Sequence, residues 1–316
     1  MKDPIFLQPV LQTKIWGGRK LATEFGMSLP NDTIGESWSI SAHPNGVSIV
    51  VAPAKYQGVG LDELYRQHPE LFGDEQLTEF PLLIKILDAA EDLSVQVHPN
   101  DIYAREHEGE LGKTECWYVI SAEPGAKIVY GHNAQTPEEF ANLVQKGEWS
   151  ALLREVPVKA GDFFYVPYGT IHAIGAGIVI LETQQNSDTT YRVYDYARTD
   201  DSGQPRPLHI QQSIDVTMFP HQDPELTISE LNVEGNKVTH YLTNEYFSVY
   251  KWAIKDEATI TLKAPYSLAN VIAGAGKLKI EDKEYDLQLA DSFILPSEVR
   301  EVELIGELTL IVSNPE

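Results

Sequence analysis

Short strand-like segments separated by turn residues constrain the fold of this chain most strongly. Runs rich in β-branched and aromatic residues recur, each bounded by glycine, proline or polar residues: Trp117–Ser121, Lys127–Gly131, Asp162–Pro167 and Gly177–Gln184. Helical patterns are fewer and lie between these runs. Many short strands with helices only in the connections indicate a mainly β protein built from jelly-roll barrels.

Three connecting segments predict helices. Leu61–Phe72 places apolar residues at helical spacing. A second helix begins at Thr136, which is a typical N-cap and is followed by proline at the first helical position and by Glu139 in a capping box. A third, shorter helix is predicted from Trp149 to Glu155.

A polar stretch from about 222 to 240 divides the chain into two β-rich parts. Beyond it, Phe247–Ile254 and Thr259–Leu262 alternate apolar and polar residues as half-buried strands do. We therefore predict a domain boundary near residue 235. Residues 1–235 form a first, metal-binding domain with short helical insertions, and residues 236–316 form a second β domain.

Composition and charge exclude several classes of protein. The formal net charge of -23 over 316 residues opposes binding to nucleic acid, which requires a basic surface. No run of about 18 apolar residues predicts a membrane span, and we expect no signal peptide. The single cysteine, Cys116, excludes an intramolecular disulfide framework. We expect a soluble cytoplasmic protein in which acidic runs such as Asp200-Asp201 form solvated loops.

A glycine-proline-histidine pattern supplies the first candidate metal ligand. Gly161–His172 reads GDFFYVPYGTIH, in which a strand ends at Pro167 and His172 enters the next strand. This spacing matches the second signature of cupin barrels, whose histidine binds a metal ion. A hydrogen-bonded structural histidine is an equally good interpretation of this motif alone.

Two further segments place polar side chains on one face of a strand. Gln96 and His98 share a face in Leu93–His98, and residues two apart on a strand lie roughly 6.5–7 Å apart, close enough to converge on one ion. In Lys113–Val119, Glu115 shares its face with a tryptophan and a valine. A buried carboxylate there needs a partner. The alternatives are an amphipathic strand for the first segment and an exposed Lys113–Glu115 pair on an edge strand for the second.

Taken together, Gln96, His98, Glu115 and His172 indicate a metal site. Two imidazoles, a carboxylate and an amide oxygen suit Zn²⁺ or a similar divalent ion and leave room for water or substrate. One negative charge among four ligands leaves the site positive, which favours a Lewis acid over a structural ion.

The segment from Glu182 to Arg198 is dense in functional groups. Arg192 follows His172 by a strand and a turn, and its guanidinium suits a phosphate or a developing oxyanion. A salt bridge from Arg192 to Asp188 or Asp195 is the competing interpretation. Because the chain is so acidic, a phosphorylated substrate requires a locally positive pocket of this kind.

The order of these motifs resembles the type I mannose-6-phosphate isomerases in their compact bacterial form. The resemblance covers most of the first 200 residues and rests on six segments: Lys14–Gly18, Gly35–Trp38, Gln96–His98, Lys113–Glu115, Gly169–His172 and Ser187–Arg192. It implies a double cupin-like jelly-roll fold. It also implies one zinc ion per chain held by Gln96, His98, Glu115 and His172.

The resemblance implies the activity and its residues as well. The expected reaction interconverts mannose 6-phosphate and fructose 6-phosphate by proton transfer between C1 and C2. Arg192 matches the family's active-site arginine, and Lys113 and Glu182 match other residues of its pocket. Arg192 and Lys113 are expected to contact substrate, and Glu182 is the first choice and Lys113 the second for the proton carrier.

The second domain departs from the ligand pattern. Ala273–Gly276 and Leu289–Pro296 are similar to a cupin hairpin, but Glu301 stands where a ligand histidine would be and Glu298 where glycine would be. We therefore expect no metal in residues 236–316.

Two alternatives to the isomerase remain, an iron-dependent cupin oxygenase and a non-catalytic sugar-binding cupin. The oligomeric state stays open.

Overall fold

The fold is mainly β and is described here from a computed structural model that covers residues 1–74, 78–199 and 203–316. The mainly β class predicted from sequence is confirmed. The predicted loop at Asp200-Asp201 lies outside the described residues.

Thirteen strands precede residue 200 in the part of the chain that the structure describes. They are β1 (Ile5–Gln8), β2 (Val10–Gly18), β3 (Ile34–Ile40), β4 (Ile49–Ala52), β5 (Leu82–Ala89), β6 (Val95–Val97), β7 (Glu115–Ala122), β8 (Lys127–His132), β9 (Leu153–Pro157), β10 (Phe163–Val166), β11 (His172–Ile174), β12 (Ile178–Gln185) and β13 (Tyr191–Tyr194).

Eight strands follow within residues 203–316. They are β14 (Ser229–Val233), β15 (Asn236–Thr243), β16 (Phe247–Ile254), β17 (Glu257–Thr261), β18 (Ser267–Ile280), β19 (Lys283–Leu287), β20 (Ser292–Leu295) and β21 (Glu301–Pro315).

Helices lie in the connections between strands. The α-helices are α1 (Lys20–Thr23), α2 (Leu61–Gln67), α3 (Asp101–His107), α4 (Pro137–Lys146), α5 (Trp149–Leu152) and α6 (Ile210–Val216), and 3₁₀ turns occur at Ala54–Tyr56 and Pro69–Phe72. Among the described residues, no helix combines the length and the apolar character that crossing a bilayer requires.

The strands form three antiparallel sheets. A six-stranded sheet has the order β10-β7-β12-β5-β3-β2, and a five-stranded sheet has the order β13-β6-β11-β8-β9. A ten-stranded sheet contains β14 to β21 together with β1 and β4. The first two sheets enclose one apolar core, formed by Trp16, Leu87, Trp117, Ile128, Ile174 and their neighbours.

The six-stranded sheet is covered on both faces, as strand β12 shows. Ile178 and Ile180 point into the core shared with the five-stranded sheet. Val179 and Leu181 point into a second core, which also contains residues of the ten-stranded sheet. Because side chains alternate along a strand, Glu182 points to the same side as Ile178 and Ile180, which is the interior of the first barrel.

The predicted strands in both halves are confirmed to within a few residues, whereas the predicted helix over Leu61–Phe72 is interrupted. The α-helix ends at Gln67, and Pro69 begins a separate 3₁₀ turn that ends at Phe72. Proline supplies no backbone N–H to continue the α-helical hydrogen-bond pattern, which explains the break. Helix α4 begins as predicted, with the Thr136 side chain accepting a hydrogen bond from the Glu139 backbone N–H.

One sequence prediction of local structure is wrong, and one hairpin occurs that the sequence did not predict. The helix predicted over Trp149–Glu155 ends at Leu152, and Leu153–Pro157 continues as strand β9 because it pairs with β8 at the edge of the five-stranded sheet. The polar stretch at 222–240 contains hairpin β14–β15. Its two turn residues, Glu234 and Gly235, both have positive φ, as type I′ hairpin turns require.

The ten-stranded sheet joins the beginning of the chain to its end. Strand β1 pairs with β20, and β4 pairs with β1, so that residues from the first 52 positions complete a sheet formed mostly after residue 229. The division into domains at residue 235 stays a prediction.

Candidate metal centre and active site

Three buried side chains meet where strands of the two facing sheets come together. His98 follows β6, Glu115 begins β7 and His172 begins β11. His98 Nε2 lies 3.4 Å from one carboxylate oxygen of Glu115, and His172 Nε2 lies 3.3 Å from the other. One potential ligand atom from each residue lies within 4.8 Å of the others, which is the spacing expected around one ion.

Strand register places the neighbouring site residues beside this group. His172 in β11 is paired with Gln96 in β6, and Gln96 is paired on its other side with Arg192 in β13. The turn before β11 is fixed by Gly169, whose φ of +78° favours glycine. The Gly169 backbone N–H donates to the carbonyl of His98 at 2.9 Å, which ties the two histidine-bearing segments together.

A backbone carbonyl sets the tautomer of His172. Nδ1 of His172 lies 2.9 Å from the carbonyl oxygen of Thr170. Since a carbonyl only accepts hydrogen bonds, Nδ1 carries the proton and Nε2 presents its lone pair toward Glu115. Such an outer hydrogen bond is typical of metal-binding histidines, whose ring orientation it fixes.

Unsatisfied polar atoms in this group fit a metal ion. Both ring nitrogens of His98 and Oε2 of Glu115 are buried without a hydrogen-bond partner, and the 3.4 Å approach between them lacks hydrogen-bond geometry. Burial, together with the nearby Lys113 charge, lowers the pKa of His98 to about 3, so its imidazole is neutral. Neutral imidazoles and an ionised carboxylate are the donor set that a divalent cation requires.

Gln96 completes the predicted ligand set from the side of β6. Its side-chain Nε2 lies 3.4 Å from Nε2 of His172. The two ends of a glutamine amide are nearly isosteric, so rotation of the amide presents the oxygen to the same point. Gln96 is half-buried, and unlike the other three residues it lines the cavity described below.

Lys113 lies beside the metal group and not on an exposed edge. Its Nζ is 3.5 Å from Oε2 of Glu115, with about 6 % and 1 % of the two side chains exposed. Strand β7 lies between β10 and β12 in the six-stranded sheet. The alternative of an exposed ion pair on an edge strand is therefore wrong.

Glu182 is held between a tryptophan and a lysine. The indole N–H of Trp117 donates to Oε2 of Glu182 at 3.1 Å, and Lys85 Nζ lies 3.5 Å from Oε1. Burial and the nearby charge of Glu115 raise the pKa of Glu182 to about 7. A carboxyl group with such a pKa exchanges protons readily at neutral pH.

Arg192 makes its hydrogen bonds to uncharged groups. Nε donates to Ser94 Oγ at 3.3 Å, and NH1 donates to the carbonyl of Pro207 at 3.0 Å. The competing sequence interpretation was an ion pair with Asp188 or Asp195. Among the described residues, Asp195 pairs instead with Arg198 and Arg206, and Asp188 accepts a hydrogen bond from Asn45.

Several cavity residues were not identified as functional from the sequence, namely Lys14, Glu36, Lys85 and Arg206. Lys85 and Glu182 are paired in register across β5 and β12, and Lys14 Nζ lies 3.3 Å from Glu36 Oε2. The available signal was a charged residue inside an apolar run, as with Lys85 in LLIKILDA, because a buried lysine requires an anionic partner. Arg206 carried no such signal, since it lies in a polar connection.

One cavity of about 540 Å³, measured with its open mouth, collects these groups. Its lining includes four of the predicted site residues, Gln96, Lys113, Glu182 and Arg192, and also Lys14, Glu36, Lys85, Asp188 and Arg206. Gln96 and Lys113 contact the His98–Glu115–His172 group directly, so that group borders the cavity. The net charge of -23 opposes the approach of an anionic ligand. The five basic side chains of the cavity supply the local positive charge that such a ligand needs.

The barrel and this group define a cupin with a candidate metal centre next to a charged cavity. The family model described as phosphomannose isomerase type I, catalytic domain, matches residues 5–121. The model described as mannose-6-phosphate isomerase, cupin domain, matches residues 237–315.

Similar proteins extend this likeness over the whole chain. Mannose-6-phosphate isomerase of Streptococcus mutans is 53% identical, with 99% of each chain covered. The crystal structure of mannose 6-phosphate isomerase from Bacillus subtilis superimposes with a TM-score of 0.97 at 47% identity, covering 99% of this chain and 100% of that one. The chain belongs to the type I mannose-6-phosphate isomerase family, and the cupin fold expected from sequence is confirmed.

Proposed function

We propose that this chain interconverts mannose 6-phosphate and fructose 6-phosphate. The observation that supports this most strongly is the buried His98–Glu115–His172 group at the border of a cavity rich in lysine and arginine. The metal group suits the oxygens of an open-chain sugar, and the cations suit its phosphate. Both are present in a protein whose relatives of the same length carry the name of this isomerase.

The metal that we propose is zinc, one ion per chain. His98, Glu115 and His172 would hold it, with Gln96 as the fourth ligand, and an ion there would satisfy the buried atoms that lack partners. When bound, zinc would supply a Lewis acid for the negative charge that develops on the substrate oxygens. The net positive character of the ligand set and Lys113 beside it are consistent with that role.

Glu182 is our first choice for the proton carrier. The reaction removes the proton at C2 of the open-chain aldose, leaves its electron pair in an enediolate, and delivers a proton to C1. A carboxyl group with a pKa of about 7 is suited to both transfers. Lys113 is the second choice, since it lines the same cavity but lies against Glu115. Arg192 would bind the anionic part of the substrate.

We further propose that the protein acts in the cytoplasm on a free sugar phosphate. The proposal is supported by the metabolic activity named for its relatives. The proposed division of labour assigns catalysis to residues 1–235. Residues 236–316, which match the cupin-domain model from 237 onward, would brace the first barrel.

The test is conversion of mannose 6-phosphate to fructose 6-phosphate, followed with a coupled dehydrogenase, beside glucose 6-phosphate and unphosphorylated mannose. We expect mannose 6-phosphate to be the preferred substrate by at least 100-fold in kcat/KM. If zinc is bound and another aldose phosphate is preferred, the assigned substrate is wrong. Oxygen consumption with bound iron would instead favour a cupin oxygenase.

A further inference from the structure

The basic residues of the cavity differ in how their charge is neutralised. Each cavity lysine has its own carboxylate 3.3–3.5 Å away: Lys14 beside Glu36, Lys85 beside Glu182 and Lys113 beside Glu115. The two cavity arginines are arranged differently. The excess positive charge of the cavity therefore belongs to its two arginines, Arg192 and Arg206.

Arg192 forms no ion pair with a carboxylate in the part of the chain that the structure describes. Its hydrogen bonds use Nε and NH1, and both go to neutral oxygens, of Ser94 and Pro207. NH2 takes part in neither bond. The guanidinium is thus fixed in position while its charge stays available to an anion.

Arg206 is held in a fixed orientation by Asp195. Nε of Arg206 donates to Oδ2 of Asp195 at 2.8 Å, and NH2 donates to Oδ1 at 2.6 Å, a two-point contact that does not involve NH1. Asp195 is 5% exposed and also accepts a hydrogen bond from Arg198 at 2.6 Å. One carboxylate is therefore shared by two arginines, and Arg198 also lies 3.9 Å from the more exposed Glu91.

We propose that Arg206 and Arg192 together bind the phosphate group of the substrate, and that Asp195 is the positioning residue for Arg206. The assignment rests on the proposed function, because it presumes a phosphorylated sugar in this cavity. Within the described residues, both guanidinium groups keep N–H donors outside the hydrogen bonds given above, and they offer a dianionic phosphate more charge-assisted hydrogen bonds than the lysines do. Lys113, beside Glu115, and Lys85, beside Glu182, remain for the sugar and the reacting carbons.

Binding of sorbitol 6-phosphate to the zinc-loaded protein tests this without turnover, because this polyol lacks the carbonyl that isomerisation needs. Titration calorimetry would compare wild type, Arg206→Gln, Arg206→Lys and the control Arg198→Gln. The control removes the same charge and shares the same aspartate, but Arg198 does not line the cavity. We expect Arg206→Gln to weaken binding about 10- to 100-fold, Arg206→Lys less, and Arg198→Gln by no more than about 3-fold.

Asp195→Asn separates positioning from simple charge. If Asp195 only subtracted charge, its removal would make the cavity more positive and sorbitol 6-phosphate would bind more tightly. If it positions Arg206, binding weakens and KM for mannose 6-phosphate rises several-fold with little change in kcat. Tighter binding in Asp195→Asn, or equal losses in Arg206→Gln and Arg198→Gln, would overturn the proposal.

The proposed function and the phosphate site fail separately. Wild type that binds sorbitol 6-phosphate much better than sorbitol, with this preference lost in Arg206→Gln, supports the phosphate site even without isomerase activity. Isomerase activity whose KM is unaffected by Arg206→Gln supports the function and rejects the site.

Discussion

Glu115 and Glu182 share one hydrogen-bond donor, the indole N–H of Trp117. The indole nitrogen lies 3.0 Å from Oε1 of Glu115 and 3.1 Å from Oε2 of Glu182. The metal-group carboxylate and the proposed proton carrier are therefore both held by one N–H group of a rigid ring, which is itself 1% exposed. This contact links the candidate metal centre to the candidate acid–base residue.

Trp117→Phe should impair the site without unfolding the protein. Phenylalanine keeps most of the aromatic packing but removes the N–H donor that the two carboxylates share. Loss of such an outer hydrogen bond typically costs about 10- to 100-fold in metal affinity or activity. We expect a decrease of this size in kcat, measured on protein loaded with one zinc per chain.

Trp252→Phe is the matched control, since Trp252 is also buried but lies in the core of the ten-stranded sheet. Its kcat should stay within about 3-fold of wild type. Equal decreases in both variants would show that the indole at position 117 acts only through packing.

Glu182→Gln should abolish most of the turnover. The amide keeps the shape of the side chain but carries no titratable proton, and general acid–base catalysis typically contributes about 10²- to 10⁴-fold. We expect kcat to fall by that factor with little change in KM. Near-native kcat in Glu182→Gln would transfer the proton-carrier role to Lys113.

The arginine cluster around Asp195 should make the free energy of unfolding depend on pH in acidic solution. Burial alone would raise the pKa of Asp195, but hydrogen bonds from Arg206 and Arg198 hold it below its ordinary value. A carboxyl whose pKa is lowered by folding stabilises the protein above its ordinary pKa of about 3.9, and this stabilisation is lost as pH falls toward the folded pKa.

Urea unfolding of wild type and Asp195→Asn between pH 3 and 7 measures this contribution. The variant should be less stable by about 1–2 kcal/mol at pH 7, and the difference should shrink below pH 4. Asp282→Asn, an exposed turn residue, controls for the change of charge. A difference that is constant across the range would contradict the ion-pair account.

A pair of hydroxyl groups connects the six-stranded sheet with the ten-stranded sheet, and its contribution to the free energy of unfolding can be measured. Thr183 Oγ1 in β12 lies 2.7 Å from Ser313 Oγ in β21, and both residues are fully buried. Thr183→Val or Ser313→Ala should each cost about 1–3 kcal/mol of unfolding free energy, because the remaining hydroxyl loses its partner. The double variant should cost less than the sum. Strict additivity would show that the pair does not couple the sheets.

Sequence motifs identified the metal group because its residues lie at strand ends with a diagnostic spacing. The alternation of side chains around Glu115 and the turn before His172 are local properties, and both are present in the structure. Gln96 follows from the strand face that it shares with His98, and Arg192 from its place after His172 in a segment dense in functional groups. Their adjacency across β6 and β13 depends on strand pairing, which the sequence alone did not specify.

The rest of the cavity depends on contacts between distant segments. Lys85 meets Glu182 only because β5 pairs with β12, and Arg206 meets Asp195 through a connection with no regular pattern. The early end of helix α5 has a similar origin, since pairing with β8 favours a strand from Leu153 onward. Tertiary pairing of this kind overrides local propensity.

The most direct test of this account is a zinc titration of chelator-stripped protein, in which bound metal and mannose 6-phosphate turnover are measured on the same samples. We predict that the stripped protein is inactive and that activity rises in proportion to bound zinc until one ion is bound per chain. The His98→Ala variant should recover neither zinc binding nor activity. Full activity without metal, or one bound zinc per chain without turnover, would contradict it.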